Sequence, residues 1–304
     1  ALPISEFIKK YGLIGFPLSH SFSPGWFNNF FLVNSLKGYL YELYPLTSLS
    51  SLPDIIQRNK NLYGLNVTIP YKESVIPYLD YITERASCVG AVNTIKIVRK
   101  EATTQLIGHN TDVDGFNYLL QAYLKSTQEF PESSYKSLGE AKDDSTRLIT
   151  IQEFLKTNKS DNKNRSTIDT TGSSTSNSAI ILGSGGASKA VKYSLFKHNI
   201  PFKIVSRKPV GHCEISYHDF EEMDPQSYCL IINTTPLGTK GDHETEKPVI
   251  DYNKLSSQHH LIDLVYNPAV TPFLKAGLAT GATASNGKKM LIRQAEASWD
   301  FWNR

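Results

Sequence analysis

The sequence has few cysteines and no long apolar run. Its three cysteines, Cys88, Cys213 and Cys229, are far apart and form no CxxC or Cys/His pattern, so neither a disulfide framework nor a zinc site is expected. No stretch approaches the roughly 18 apolar residues of a membrane span, and the N-terminus shows no signal-peptide pattern. These absences predict a cytoplasmic protein without a metal site and without a membrane partner.

The sequence also lacks a large excess of either positive or negative charge. The 304 residues include 32 Lys and Arg against 29 Asp and Glu, a formal net charge of +3. The cations are scattered rather than gathered into a stripe that could neutralise phosphates, so nucleic acid is not an expected partner. Hydrophobic residues make up 40% of the chain, which together with its length predicts a globular protein of about two domains.

The first third of the chain alternates between predicted strands and helices. Apolar runs at 11–15, 38–46 and 64–69 predict strands. Ser23 precedes a proline and a set of phenylalanines at helical spacing, so we expect it to be the N-cap of a helix. A second helix is expected from about Lys72. This alternation predicts an α/β fold with a parallel or mixed sheet.

The segment 125–178 changes in composition. It is rich in Ser, Thr, Asn, Asp and Lys, and from 157 to 178 it has almost no apolar residue. Such a segment cannot bury enough surface to fold alone. We therefore interpret it as a flexible surface insertion, which costs little loop-closure entropy, with one helical turn expected at about 150–155. The alternative is a phosphorylated or partner-binding segment.

The second half contains the pattern of a dinucleotide-binding fold. Short apolar runs predict parallel strands at 179–182, 203–205, 229–233 and 261–266. A helical stretch at 188–197 lies between the first two runs, which gives the order strand, glycine-rich turn, helix, strand. The last segment, 288–302, is an amphipathic helix.

The glycine-rich turn comprises Gly183, Gly185, Gly186 and Ala187, directly after a predicted strand and before a predicted helix. Glycines permit a tight turn and close backbone approach, and the helix N-terminus offers N–H groups to a pyrophosphate. Ser188 replaces the strict third glycine of this fingerprint. An ordinary tight turn is the alternative interpretation.

The next predicted strand ends in Ser206, Arg207 and Lys208. NAD enzymes place an acidic residue there to bind the ribose hydroxyls. Two cations and a hydroxyl instead suit a 2′-phosphate, because Arg offers a planar fork of donors. The sequence therefore favours NADP over NAD, although solvated loop charges are the alternative.

Small polar residues cluster after the predicted strands of the first half, at 20–23, 66–68 and 90–94. Their neutral donors and acceptors suit a polyhydroxylated ligand, but each cluster alone is more often a cap or a turn. Lys72 and Asp112 lie in two further loops. Alone they suggest an exposed lysine and a helix cap, whereas together they suit proton transfer to a carbonyl oxygen.

Eight blocks of sequence, in order along the chain, resemble the shikimate dehydrogenase family. They are GFPLSHSFSP at 15–24, NVTIPYK at 66–72, GAVNT at 90–94, NTDVDG at 110–115, GSGGASKA at 183–190, NTTPLG at 233–238, VYNP at 265–268 and QA at 294–295. This many blocks in a fixed order are far more specific than a lone glycine motif. Two departures stand out, because Phe27 occupies a position where the family often has His, and Thr239 one where it often has Met.

The resemblance implies a role for individual residues. The implied catalytic pair is Lys72 and Asp112. The implied substrate-binding residues are Ser21 and Ser23, which hold the shikimate carboxylate, and Asn66, Thr68, Asn93, Tyr266 and Gln294. The implied cofactor-binding residues are Gly183, Gly185, Gly186, Ala187, Ser206, Arg207, Lys208, Thr234, Pro236 and Gly287.

The resemblance also implies an architecture and a reaction. We expect an N-terminal α/β substrate domain at 1–114, completed by 285–304, and a Rossmann-type NADP-binding domain at 115–284 that contains the insertion, with a deep cleft between them. The expected reaction is the reversible reduction of 3-dehydroshikimate to shikimate by NADPH, in a monomer or homodimer. Quinate or dual quinate/shikimate oxidation and a non-catalytic metabolite-sensing relative are the alternatives.

Overall fold

The structure, a computed structural model, describes residues 8–19, 21–101, 103–127, 147–150, 152–153, 178–211 and 213–304. The chain divides into two units. The first comprises the described residues within Ala1–Thr111, Asp143–Asn158 and Ala295–Arg304, and the second those within Asp112–Lys142 and Lys159–Gln294. Most of the predicted insertion, and His20 of the first polar cluster, lie outside the described residues.

The first unit is built on a mixed sheet of seven strands. The strands are β1 (Lys9–Gly15), β2 (Tyr39–Pro45), β3 (Leu62–Val67), β4 (Tyr81–Thr83), β5 (Thr94–Lys100), β6 (Thr103–His109) and β7 (Leu148–Thr150), in the order β2-β1-β3-β5-β6-β4-β7. Its helices are α1 (Ser23–Val33), α2 (Leu52–Arg58) and α3 (Glu84–Val89). Strand β1 pairs in parallel with β2 and β3, whereas β5 pairs antiparallel with β3 and β6. The predicted mixed α/β architecture is confirmed.

Two local predictions in this unit are wrong. Ser23 is the first residue of α1 rather than its N-cap, because Phe22 holds the cap position and no side chain caps the helix. No helix starts at Lys72, where the chain forms turns that lead into a short 3-10 helix at Ile76–Tyr78. A helix that started at Lys72 would place Pro77 in its interior, where the proline ring clashes with the carbonyl four residues earlier, so no such helix forms.

Strand β7 lies inside the segment that the sequence predicts as an insertion of the second domain. It pairs antiparallel with β4, with Ile82 opposite Ile149, and so extends the sheet of the first unit. At the end of this strand, Thr150 Oγ1 donates to Glu153 Oε2 at 2.8 Å and accepts from the Glu153 N–H at 3.2 Å. This reciprocal pair begins a short turn at 152–153.

The second unit contains a parallel sheet of six strands. They are β8 (Ala179–Leu182), β9 (Phe202–Val205), β10 (Glu214–Ile215), β11 (Leu230–Asn233), β12 (His260–Asp263) and β13 (Thr283–Asn286), in the order β10-β9-β8-β11-β12-β13. Its helices are α4 (Asp112–Thr127), α5 (Gly186–Lys197), α6 (Tyr217–Glu221) and α7 (Pro272–Leu278). The last helix, α8 (Lys288–Asn303), starts in this unit and ends in the first. No helix in the described part of the chain combines the length and hydrophobicity of a membrane span.

Aromatic packing attaches the end of α8 to the first sheet. Trp302 stacks on Tyr11 with ring centroids 4.7 Å apart, and its indole N–H donates to the Ile95 carbonyl at 3.0 Å. The indole lies directly over Gly64 of β3, where an added Cβ would be 2.5 Å from Trp302 Nε1. The indole can pack this closely only because Gly64 has a hydrogen atom in place of a side chain.

Replacing Gly64 by alanine is expected to destabilise the protein by about 1–3 kcal/mol, because the buried indole must move and the core around it is close-packed. Urea unfolding measures this change. Gly25→Ala in α1 is the matched control, since no atom lies within 4 Å of its added Cβ; it should be neutral or stabilising by up to about 1 kcal/mol. Equal unfolding free energies for the two variants would contradict the packing argument.

Candidate active site

A buried hydrogen-bond network in the first unit contains two of the predicted substrate residues. Asn66, in β3, accepts from the Tyr41 hydroxyl at 2.8 Å and donates to Ser298 Oγ at 2.9 Å. Its amide also donates to the carbonyl of Asn93 at 3.3 Å. All four residues are at most 4% exposed. The structure thus brings Asn66 and Asn93 together, although they are 27 positions apart in the sequence.

Thr111 closes the network on the other side of Asn93. Its backbone N–H donates to Asn93 Oδ1 at 2.7 Å, and its hydroxyl lies 3.0 Å from both Asn93 Nδ2 and Ser298 Oγ. Thr111, Tyr41 and Ser298 are not among the predicted site residues. Thr111 could have been predicted, because it lies in the same polar sequence block as Asp112. Tyr41 and Ser298 lie in no such block, so the sequence gives no sign of their role.

Ser23 joins the same network through Tyr41. Burial raises the pKa of Tyr41 well above its ordinary range, against a smaller opposing effect of the Ser23 side chain, so the phenol stays a neutral donor. Ser21, the other predicted carboxylate-binding serine, is half-buried, and its N–H donates to the Leu18 carbonyl at 3.1 Å. Of the two serines, Ser23 is the one whose side chain interacts with Tyr41, which in turn binds Asn66.

The loop of Lys72 is held by backbone hydrogen bonds. The carbonyl of Lys72 accepts from the N–H of Val92 at 2.7 Å, one residue before Asn93. Thr68, which precedes Lys72 in the same loop, donates its N–H to the Ile14 carbonyl at 2.9 Å. Lys72 itself is half-buried. The predicted catalytic lysine is therefore anchored beside the loop that provides Asn93.

Asp112 is the first residue of α4 and is 5% exposed. A carboxylate in the first turn of a helix is stabilised by the unpaired N–H groups and by the helix dipole. It directly follows Thr111 in the chain. Its predicted pairing with Lys72 stays a prediction.

In the second unit, the glycine-rich turn has the backbone geometry that the fingerprint requires. Gly183 adopts a φ of +102°, and an added Cβ there would lie 2.9 Å from Thr235 Cγ2. Gly185 is the N-cap of α5, and no atom lies within 4 Å of its added Cβ. The turn therefore leaves open space in front of the N–H groups that begin α5. A pyrophosphate fits this arrangement, because helix N-termini bind anions; Gly186 and Ala187 are the first two helical residues.

The predicted 2′-phosphate residues follow β9 at the same edge of the parallel sheet. Ser206 is buried, its hydroxyl lies 3.3 Å from that of Ser184 in the glycine-rich turn, and it accepts from the Lys208 N–H at 3.3 Å. Arg207 and Lys208 are exposed. The structure thus brings this cluster next to the pyrophosphate turn, with two cations facing solvent as a phosphate site requires.

The remaining cofactor residues also follow strands of this sheet. The Thr234 hydroxyl donates to the Leu182 carbonyl at 2.8 Å, which attaches the loop after β11 to the end of β8. Pro236 in the same loop is exposed. Gly287 is buried, and no residue with a side chain fits at this position, because an added Cβ would lie 2.1 Å from the Leu264 carbonyl oxygen. Ligands of such sheets bind at the carboxyl ends of the strands, where these loops lie.

Tyr266 and Gln294, the last two predicted substrate residues, lie in the second unit. Tyr266 follows β12 and is half-buried. Gln294 lies on α8, is 9% exposed and donates its amide to the Leu291 carbonyl at 3.0 Å. Within the described residues no cluster of three or more His, Cys, Asp and Glu is arranged to hold a metal.

A buried carboxylate at the end of β12 is not among the residues predicted from the sequence. Asp263 is 0% exposed and accepts from Asn233 Nδ2 at 3.0 Å, from the Val265 N–H at 3.0 Å and from the Thr271 hydroxyl. The Val265 N–H donates to the Asp263 side chain instead of to a neighbouring strand. The strand predicted at 261–266 therefore ends at Asp263. The carboxylate joins the loops after β11 and β12, which contain Thr234 and Tyr266. An aspartate at the end of an apolar run was the signal that could have found it.

The pKa of Asp263 is raised to about 6, chiefly by burial, against an ordinary value of 3.8. A carboxyl whose pKa is raised in the folded state favours folding most when it is protonated, and this contribution is lost as the pH rises through the folded pKa. Relative to Asp263→Asn, the wild type should therefore lose roughly 2–3 kcal/mol of unfolding free energy between about pH 4 and pH 7. Urea unfolding at several pH values tests this. A difference that is constant with pH would contradict it.

Comparisons with known proteins agree with this arrangement. The family model described as the shikimate dehydrogenase substrate binding domain matches residues 13–95. A protein of Carboxydothermus hydrogenoformans named shikimate dehydrogenase (NADP(+)) is 31% identical over 97% of this chain and 91% of its own length. A protein of the same name from Clostridium beijerinckii is 32% identical over 97% of this chain and 92% of its own length.

The fold agrees as well. The crystal structure of shikimate dehydrogenase 1 from Peptoclostridium difficile superposes with a TM-score of 0.70 at 28% identity, covering 97% of this chain and 92% of the other. Full-length identity above 30%, the matched substrate domain and the shared architecture lead to one conclusion: the chain belongs to the shikimate dehydrogenase family.

Proposed function

We propose that this protein is a shikimate dehydrogenase that reversibly reduces 3-dehydroshikimate to shikimate with NADPH. The observation that carries the proposal is the position of the two catalytic candidates. Lys72 is anchored by its carbonyl to Val92, next to Asn93, and Asp112 follows Thr111, which binds Asn93. Both candidates are thus connected to the buried Asn93, Lys72 through Val92 and Asp112 through Thr111. The chain that contains them belongs to this enzyme family.

The proposed substrate contacts are neutral hydrogen-bonding groups, with Ser21 and Ser23 holding the carboxylate. The contacts to the ring and its hydroxyl groups come from Thr68, Asn93, Tyr266 and Gln294. Hydroxyl, amide and phenol groups bind a polyhydroxylated acid without the desolvation cost of burying further charges. This choice of residues suits a sugar-like substrate better than an apolar one.

Lys72 is the proposed general acid. As the carbonyl of the substrate is reduced, the Lys72 ammonium protonates the oxygen, and in the reverse direction the neutral amine accepts the hydroxyl proton. Asp112 is proposed to stabilise the ammonium form and to orient it. A group that acts mainly in the transition state contributes to kcat more than to substrate binding.

The second unit is proposed to hold the cofactor. Gly183, Gly185, Gly186 and Ala187 would bind the pyrophosphate. Ser206, Arg207 and Lys208 would bind the 2′-phosphate, and Thr234, Pro236 and Gly287 would line the nicotinamide side. When bound, NADPH supplies the hydride. The open N-terminus of α5 and the cations after β9 are the observations that support this assignment.

The test of the proposal is a crossed assay at the NAD(P)H absorbance band, with shikimate and quinate each combined with NADP and NAD. Shikimate with NADP should give the highest kcat/KM. Higher kcat/KM with quinate would favour the dual or quinate enzyme, because one extra hydroxyl changes few contacts. No turnover with any pair would favour a metabolite-sensing relative, against which the retention of Lys72 and Asp112 argues. The monomeric or homodimeric state and the cytoplasmic location stay predictions.

A further inference from the structure

The side chain of Asn66 is engaged inside the protein. An asparagine amide has two N–H donors, and those of Asn66 are directed at Ser298 Oγ and at the Asn93 carbonyl, 2.9 and 3.3 Å away. Its oxygen accepts from the Tyr41 hydroxyl at 2.8 Å, and the residue is 4% exposed. No donor remains for a ligand. Asn66 is therefore better placed to orient other residues than to touch substrate.

We propose that Tyr41, Asn66 and Ser298 are positioning residues that hold Ser23 and Asn93 in the geometry that binds substrate. This inference rests on the proposed function, because it takes Ser23 and Asn93 as substrate contacts. It adds three residues to the site and changes the expected role of Asn66 from direct contact to support.

The contacts form one continuous path between the two substrate residues. The Tyr41 hydroxyl binds Asn66, and Asn66 binds both Ser298 and the backbone of Asn93. Ser23 interacts with the Tyr41 side chain at the other end of this path. These residues come from α1, β2, β3, the loop before β5, and α8. Asn66 thus connects several elements of the first unit that lie far apart in the sequence.

The path also fixes the Asn93 side chain. Ser298 Oγ lies 3.0 Å from Thr111 Oγ1, and the N–H and hydroxyl of Thr111 both bind the Asn93 amide. Asn93 is therefore oriented at its backbone by Asn66 and at its side chain by Thr111. A buried network of this kind is rigid when all its members are bonded and loses its geometry when one is removed.

Tyr41 offers a clean way to remove one bond. Its ring stacks on Phe27 with centroids 4.4 Å apart, and it is 2% exposed. Tyr41→Phe keeps this stack and deletes only the hydroxyl. Tyr44→Phe is the matched control, because Tyr44 lies on the same strand and its hydroxyl binds Glu42 at 2.9 Å, outside the network.

The experiment measures kcat, the KM for shikimate and the KM for NADP in the full-length wild type, Tyr41→Phe, Ser298→Ala and Tyr44→Phe. Tyr41→Phe and Ser298→Ala should each raise the KM for shikimate about tenfold, while the KM for NADP stays within about twofold. The variant that combines Tyr41→Phe with Ser298→Ala should raise the KM for shikimate by less than the product of the two single effects, because both changes act through Asn66. Tyr44→Phe should match the wild type.

A purely structural role gives a different result. If Tyr41→Phe and Ser298→Ala lower the melting temperature but leave the KM for shikimate at the wild-type value, or raise both KM values equally, the inference is overturned while the proposed function stands. If the wild type itself fails to oxidise shikimate, the proposed function fails and the inference fails with it.

Discussion

Lys72→Ala is expected to lower kcat by roughly 10²–10⁴-fold, the usual contribution of a general acid. The KM for shikimate should change by less than about threefold, because the proton is transferred only as the substrate oxygen gains charge. The substitution leaves the backbone bonds of the Lys72 loop, which involve Val92 and Thr68, intact, so the measured change reports the loss of the side chain. Steady-state kinetics with shikimate and NADP measure the effect.

Lys60→Ala is the matched control for Lys72→Ala. Lys60 is an exposed lysine just before β3, whereas Lys72 follows that strand, so the control removes the same charge from the same unit. Its kcat and KM should equal those of the wild type. Unchanged kcat in Lys72→Ala, or a loss of the same size in Lys60→Ala, would contradict the catalytic assignment.

The double change Arg207→Ala with Lys208→Ala is expected to raise the KM for NADP roughly 100-fold, because two charge-assisted hydrogen bonds to the 2′-phosphate are lost. The KM for NAD should change by less than about threefold, since NAD has no phosphate at that position. Both side chains are exposed and their backbone is attached to Ser206, so folding should be unaffected. Initial rates with each cofactor give both constants.

Lys203→Ala provides the comparison for this second prediction. Lys203 is an exposed residue of β9, four positions before Arg207, and its removal also lowers the net charge of the second unit. It should leave the KM for NADP within about twofold of the wild type, because a general charge effect is weak at physiological salt. Equal increases in the KM for NADP and NAD in the double variant would contradict a 2′-phosphate site.

Seven of the thirteen strands in the described residues were predicted, because their sequence pattern is local, whereas β4 to β7, β10 and β13 were not. The runs at 11–15 and 179–182 are short, apolar and bounded by turn residues, and both lie in strands. Strand β10 was missed because Glu214–Ile215 is only two residues long, and β13 because Thr283–Asn286 has no apolar run. Their pairing with neighbouring strands, rather than any pattern of their own, defines them.

The candidate site was predictable in part for the same reason. The glycine-rich turn is a contiguous motif whose geometry follows from Gly183 and Gly185. The Asn66–Ser298 bond instead joins residues separated by 232 positions, and no local pattern signals it. Ser23 departs from its local preference, since it is the first residue of α1 instead of its N-cap.

The most direct test of the account is the reduction of 3-dehydroshikimate by NADPH, followed by chromatography of the product in parallel reactions of the wild type and Lys72→Ala. The account predicts one shikimate formed for each NADPH oxidised by the wild type, and the same product formed orders of magnitude more slowly by the variant. No NADPH oxidation by the wild type, or equal rates for the two proteins, would contradict it.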